Sequence, residues 1–439
     1  MTGAALTAGQ AAFILFGSFF GLIALRVPVA FALGLACLPI LVIEPRLDTV
    51  TLMSESFNAF NSFILLAVPF FLLTANLMNI GGITDRLLKL SRTMVGHWPG
   101  GLAQINVVLS LFFAGISGSS TADAASQSKI FIEAQRREGY DDSFSVAITA
   151  VSAVLAVIIP PSILMIVWGG ILTTSIGALF LAGIIPGILI AGAQMATVHI
   201  YAVKRGYPTY PRESWRAFIC ACAHSFLALM TPGIIIGGKI FGWFTATESA
   251  AIAVLYAGML SFIVYREMDA KGLYAALLDT GKLTGIILFC VGTASCFGWL
   301  LAYYKIPEAI LAGVSAWQMG FIATGFFIAG VFLLVGCFLD AIPAIIICGP
   351  ILQPLAKAVE MDPVHFAMIG IVSLAFGLVT PPYGLCLMIA CAVAGMRMRD
   401  AIKDTVLMLI PLLMVLALVI VWPKVTLFLP SLVSPEFLN

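Results

Sequence analysis

Long apolar runs, broken at intervals by short polar stretches, dominate the 439-residue chain. A helix needs about 20 apolar residues to cross the hydrocarbon core of a bilayer. On that rule the pattern predicts spans near residues 10–25, 28–43, 57–80, 142–174, 177–203, 217–238, 244–265, 272–303, 364–395 and 402–422. Two further apolar stretches, roughly 99–135 and 318–356, do not fit as simple crossings. Small and polar residues interrupt each midway, Gly115 to Asp123 in the first and Gly336 to Asp340 in the second. Charged stretches follow them, Arg136-Arg137-Glu138 and Lys357 to Asp362. The expectation at each is a re-entrant hairpin that enters and leaves the membrane on one side.

The distribution of basic residues supports this reading. With the N-terminus outside, the inner loops collect Arg26, Arg86-to-Arg92, Arg136-Arg137, Lys204-Arg205, Arg212, Arg216, Arg266, Lys271 and Arg397-to-Lys403. The outer loops hold only Arg46, Lys239, Lys305, Lys357 and Lys424. That is the bias of the positive-inside rule. Turning either hairpin into a crossing would invert every later loop and scramble it. Both termini are then expected on the outer side of the membrane.

The halves also echo each other. An offset of 221 maps Pro381-Pro382 onto Pro160-Pro161, Gly336 onto Gly115, Asp362 onto Asp141, Ser373 onto Ser152 and Leu385 onto Leu164. Residues 1–210 and 211–439 each read as three spans, a hairpin, a proline-broken span and a last span. The first hairpin opens inward and the second outward, which makes an inverted repeat, an architecture common among secondary transporters.

Composition agrees. The chain is 61% hydrophobic and 10% charged, with a mean hydropathy of +1.10, whereas soluble domains carry about 25% charged residues. Lipid must therefore cover the apolar mass. A net charge of +1 offers nothing for nucleic acid to bind. The nine cysteines fall mostly in apolar runs, and Cys220-Ala-Cys222-Ala-His224 lacks a second ligand pair at zinc-site spacing. No organic cofactor is expected. The first basic residue is Arg26, so the N-terminus does not read as a cleaved signal and its span is expected to persist.

Polar groups inside a membrane are costly and mark function. Four clusters stand out: Gly115-Ile-Ser-Gly-Ser-Ser-Thr-Ala-Asp123, Ile159-Pro-Pro-Ser-Ile163, Gly336-Cys-Phe-Leu-Asp340-Ala-Ile-Pro343 and Leu378-Val-Thr-Pro-Pro-Tyr-Gly384. A Pro-Pro pair removes backbone donors and unwinds a helix. The freed carbonyls, with hydroxyls and a carboxylate from a glycine-reversed tip, offer an all-oxygen shell to a cation. The N-termini of the half-helices attract anions. A tip facing a broken span thus makes a cation site beside an anion site. Against this, Ser120-Thr-Ala-Asp123 also fits a helix-capping box, and Lys129, Lys282 and Glu248 fit snorkelling side chains. An intramembrane serine protease, with Ser117 of Gly115-Ile-Ser-Gly118 as nucleophile and His199 or His224 as base, is a distant alternative. It leaves the second hairpin, Asp340 and both Pro-Pro pairs unexplained.

At these residues the sequence resembles the large membrane subunit of TRAP (tripartite ATP-independent periplasmic) transporters. The resemblance is carried by Gly118-Ser-Ser-Thr-Ala-Asp123, Gly139-Tyr140, Pro160-Pro-Ser162, Gly183-Ile-Ile-Pro-Gly187, Asp340, Pro343, Pro350-Ile-Leu-Gln-Pro354, Asp362-Pro-Val-His-Phe366 and Thr380-Pro-Pro-Tyr-Gly384, with Val27-Pro28 and Val68-Pro-Phe70 earlier. It implies an all-α polytopic elevator-type carrier in the bacterial inner membrane that imports organic acids with sodium. It also implies two partners, a periplasmic substrate-binding protein and a small four-helix membrane subunit on a separate chain. Carried over by position, one sodium site would take Gly115, Ser117, Ser119, Asp123 and the backbone near Pro160, Pro161 and Ser162. The other would take Gly336, Asp340 and the backbone of Thr380, Pro381 and Pro382. The substrate carboxylate would sit near Ser120, Ser162, Thr380 and Tyr383. Ser126-Gln-Ser-Lys129 departs from the small residues usual in that arm, and Lys129 fits either the inner cavity or a snorkelling role. A stand-alone carrier of the same architecture is the alternative.

Overall fold

The computed structural model describes residues 6–44, 46–315 and 318–433, and among them every regular element is helical. Apolar sequence dictates this outcome: backbone polar groups in a bilayer find no water, so each segment must satisfy its own. The first half holds α1 (Ala8–Ala24), α2 (Val29–Ile43), α3 (Thr49–Phe60), α4 (Ala67–Ile80), α5 (Ile83–Val95), α6 (Gly101–Ser117), α7 (Ser120–Arg137), α8 (Asp142–Ala153), α9 (Ile163–Leu172) and α10 (Ile176–Arg205). The second holds α11 (Trp215–Ile240), α12 (Ala246–Met259), α13 (Ala270–Tyr303), α14 (Ile306–Ser315), α15 (Phe321–Gly336), α16 (Ala341–Ala358), α17 (Pro363–Gly377), α18 (Leu385–Ala394), α19 (Met398–Val421) and α20 (Lys424–Val433).

Among the described residues, seven segments are long and apolar enough to cross a membrane: Phe63–Ile80, Ile176–Arg205, Trp215–Lys239, Ala246–Val264, Ala270–Tyr303, Ala341–Ala358 and Met398–Val421. The chain is a multi-pass, all-α membrane protein. The span expected near 57–80 starts later, because Asn61 and Ser62 end α3 and a short 3-10 turn, Phe63–Leu66, leads into α4. The segments expected at 142–174 and 364–395 are each two helices around a Pro-Pro pair. Helices α3, α5, α14 and α20 were not among the expected spans. In α5 the buried face carries Ile83, Leu87, Leu90 and Val95, while Asp85, Lys89 and Arg92 are exposed. One apolar stripe makes an amphipathic helix, which a search for uniformly apolar runs passes over.

The two hairpin stretches become helix pairs with very short connections. α6 and α7 pack together, as do α15 and α16. α7 and α16 begin at Ser120 and Ala341, and α8 and α17 at Asp142 and Pro363, 221 residues apart in both cases. α16 is also long enough to cross on its own by length and composition.

Polar groups that these helices bury are tied together. Asn106 of α6 donates to the Thr149 hydroxyl at 2.8 Å and accepts from Ser152 at 3.3 Å, both on α8. Ser110 donates to Gln127 of α7 at 2.6 Å. In a dry interior such bonds fix the relative placement of helices that apolar packing alone would let slide. Trp168 of α9, fully buried, packs on Phe332 of α15 and Phe366 of α17, with ring centroids 5.6 and 5.3 Å away. The elements of the two halves that carry the tips and breaks therefore share one core. At the end of α10, Arg205 bonds Asp141 and Asp404, both at 2.7 Å. On the other side, Asn76 of α4 donates to Thr280 of α13 at 2.9 Å, joining the two helices that face the site.

Candidate functional site

Gly118 turns the chain between α6 and α7. Its φ is +62°, and a Cβ there would lie 2.9 Å from the Pro161 carbonyl oxygen and 3.2 Å from the Ile163 nitrogen. Only glycine meets both demands. The Gly118 carbonyl accepts the Ile163 N–H at 3.3 Å, so the tip rests directly on the first break. Gly115 is buried beside Pro160. Ser119 caps α7, accepting the Ala122 N–H at 3.5 Å, and its hydroxyl lies 3.2 Å from that of Thr121. Asp123 sits in the first turn, buried, and is hydrogen-bonded by the Ser117 hydroxyl. Two oxygens there have no protein partner, Oδ2 of Asp123 and Oγ of Ser120. An unpaired buried carboxylate oxygen costs several kcal/mol, and a bound cation removes that cost. The donor set of hydroxyls, carboxylate and peptide carbonyls suits a hard cation. Among the described residues no group of three His, Cys, Asp or Glu side chains is placed to hold a metal.

The first break runs from a 3-10 turn, Val154–Val157, through the cis Pro160-Pro161 bond to α9. Ser162 caps α9 by accepting the Met165 N–H at 3.3 Å, and donates to the Val157 carbonyl at 2.8 Å. The second break mirrors this. Gly336 and Gly377 bring α15 against α17 so closely that a Cβ on Gly377 would lie 2.6 Å from the Gly336 carbonyl carbon. The Cys337 carbonyl accepts the Gly384 N–H at 3.4 Å, so the second tip also rests on its break, beside the cis Pro381-Pro382 bond. Asp340 caps α16 through Oδ1, which accepts the Ala341 N–H at 2.8 Å. Thr380 donates to the Phe376 carbonyl at 2.7 Å.

A cavity of ≈ 350 Å³ lies where these parts meet. Residues Gly118 to Ala122 of the first tip and Asp340 to Ile342 of the second line it, with Val157, Ile163, Leu164 and Leu378 from the breaks. Leu72 of α4 and Leu283, Ile286 and Ile287 of α13 close the facing wall. The first turns of α7 and α16 both open onto the space, so two helix N-termini present their partial positive charge to it. Asp340, though deep in the molecule, remains accessible because it borders the cavity.

The expected site residues divide into groups. Ser119, Ser120 and Asp340 line the cavity. Gly115, Ser117 and Asp123 are buried at the first tip, while Pro160, Pro161 and Gly336 form the backbone on which the tips rest. Ser162 is buried and its hydroxyl makes two bonds already. Thr380 and Pro381 are half-buried, Pro382 and Tyr383 are exposed, and none of these four lines the cavity. Of the residues assigned to the substrate, Ser120 alone borders the cavity. The apolar wall of Leu72, Leu283, Ile286 and Ile287 was not foreseen, since in a membrane chain an apolar wall residue looks like any other. Among the described residues the Ser117 hydroxyl meets Asp123 and the Ser119 N–H, whereas His224 bonds the Cys220 carbonyl at 2.8 Å and His199 is exposed.

A multi-pass helical body with two tips and two broken helices around a shared cavity is the frame of a membrane transport protein. Residues 16–425 match the family described as "Tripartite ATP-independent periplasmic transporter, DctM component", and the chain belongs to that family as the large permease component of a TRAP transporter. It is 36% identical over 419 residues to the sialic acid TRAP transporter large permease protein SiaM of Vibrio cholerae, covering 95% of this chain and 98% of that one. It is 36% identical over 407 residues to the C4-dicarboxylate TRAP transporter large permease protein DctM of Pseudomonas aeruginosa, covering 91% and 94%. The fold is similar to that of the YdaH transporter of Alcanivorax borkumensis, with a TM-score of 0.59 at 14% identity over 86% of this chain and 90% of that one. The role is transport and not catalysis.

Proposed function

We propose that the chain is the translocating subunit of a sodium-coupled importer of small organic acids in the bacterial inner membrane. A periplasmic binding protein delivers the acid, and a four-helix membrane subunit braces the permease. Relatives named for sialic acid and for C4-dicarboxylates support an acidic cargo. Residues 1–210 and 211–439 form the two inverted repeats, each with one re-entrant hairpin, α6–α7 and α15–α16. The observation that carries the reading is the cavity bordered by both tips and by residues of both breaks.

Sodium at the first tip uses Asp123, Ser117 and Ser119 with backbone near Gly115 and Pro160 to Ser162. Its counterpart uses Asp340 with backbone near Gly336 and Thr380 to Pro382. The cargo carboxylate binds at the α7 and α16 N-termini, near Ser120, with Tyr383 and Thr380 approaching as the second tip moves. Without sodium the buried Asp123 charge is uncompensated, and with it the tip is held on its break. The common core around Trp168 lets tips and breaks move as one body against α4 and α13, an elevator motion that shifts the cavity across the membrane.

Uptake by the reconstituted three-component complex, tested with a panel of organic acids, is expected to require an inward sodium gradient. Uptake that persists unchanged when choline replaces sodium rejects the coupling.

A further inference from the structure

The cavity holds an acidic side chain, Asp340, with Asp123 buried beside it, yet no basic residue lines it. Helix N-termini and sodium supply positive charge while cargo is bound. Once the sodium ions leave, the two helix N-termini remain, but no basic side chain on the cavity wall draws a carboxylate inward.

Positive charge lies just beyond that wall on both sides. α7 runs from the first tip toward its basic end at Arg136 and Arg137. Ala122 lines the cavity, and Ser126 and Lys129 follow at four and seven residues on the same helix face, Lys129 about 10 Å further along. On the facing wall, Lys282 precedes the lining Leu283 and stands four residues before the lining Ile286, one turn nearer the α13 N-terminus. Both lysines are exposed. Neither has a hydrogen-bond or ion-pair partner among the described residues. Glu133, one turn beyond Lys129, is held by Arg136 at 3.2 Å and Arg137 at 3.1 Å. Asp279 is exposed one turn before Leu283 and places a carboxylate on the α13 wall as well. Lipid would be a costly surround for Asp279 and Lys282 in the interior of an apolar helix. A water-filled passage is not.

We propose that Lys129 and Lys282, on opposite walls, form an electropositive inner exit from the cavity that draws the cargo carboxylate toward the inner side. The cargo part of this statement rests on the organic-acid reading above. The shared vestibule and its sign do not.

The test uses the full complex in everted membrane vesicles, with Cys220→Ser and Cys222→Ser removing the surface thiols. Lys129→Cys is modified with the anionic sulfonate reagent MTSES or the cationic ammonium reagent MTSET. Both are expected to react from the inner face. At low ionic strength, adding Lys282→Gln is expected to lower the MTSES-to-MTSET rate ratio by about twofold or more, the scale of one unit charge about 10 Å away in water acting with opposite sign on the two reagents, and Lys282→Arg to preserve it. Should Lys129→Cys fail to assemble, Lys282→Cys with Lys129→Gln is the reciprocal pair. Absence of reaction from the inner face, or a ratio indifferent to the second lysine, overturns the proposal. Failure of every acid in the uptake panel would instead count against the cargo reading and leave this ratio standing.

Discussion

Replacing Asp123 by asparagine is expected to lower apparent sodium affinity by about 100-fold or more and to abolish uptake at ordinary sodium concentrations. Asparagine keeps the volume and the contact with Ser117, so the tip still folds. What it loses is the charge. Asp123 is buried with Oδ2 unpartnered, beside the equally unpartnered Ser120 hydroxyl. Removing one member of a buried charge pair costs about 3–5 kcal/mol, and each 1.4 kcal/mol is tenfold in affinity. Asp340→Asn is expected to act in the same direction but less, because Asp340 borders the cavity and is already partly solvated. Sodium titration of uptake distinguishes the two. An Asp123→Asn protein with the parent's sodium dependence removes this residue from the cation site.

Gly118→Ala is expected to be nearly as damaging for a different reason. A left-handed backbone costs a residue with a Cβ about 1–2 kcal/mol. The new methyl would also press on the Pro161 carbonyl oxygen at 2.9 Å and the Ile163 nitrogen at 3.2 Å, and both are backbone atoms that cannot turn aside. The tip must lift, breaking the bond from Ile163 N–H to the Gly118 carbonyl, worth about 1 kcal/mol more. The expected outcome is a protein of lower thermal stability with uptake reduced about tenfold or more. Gly139→Ala is the control. Its φ is +85°, but a Cβ there meets nothing within 4 Å, so it carries the backbone cost alone. Matching uptake and melting for the two variants contradicts the docking of tip on break.

The sequence makes the frame of this site legible because its elements break a strong pattern. In a chain so apolar, Gly115 to Asp123, Asp340 and the two Pro-Pro pairs are departures, and the membrane's intolerance of unpaired polar groups gives each a reason to exist. Helices α3 and α5 are less visible because polar residues interrupt their apolar faces, and α14 and α20 because ten residues are too few for a full crossing. The fine structure of the site is hidden for another reason. Ser162 and Tyr383 stand 221 residues apart, each just after a Pro-Pro pair, but Ser162 is buried and bonded to Val157 and Met165 while Tyr383 is exposed. Corresponding Pro-Pro segments of the two halves are packed differently, and only three-dimensional packing reveals it. The apolar wall from α4 and α13 is silent in sequence altogether.

The central claim is that cargo and sodium meet in the one space bordered by both tips and both breaks. A cryo-EM structure of the three-component complex with sodium and its transported acid tests this most directly. The expected result is cargo density in the cavity, its carboxylate at the first turns of α7 and α16 near Ser120 and Ala341, with a cation at Asp123. Cargo density elsewhere, with this cavity closed or filled by side chains in every captured state, would contradict it.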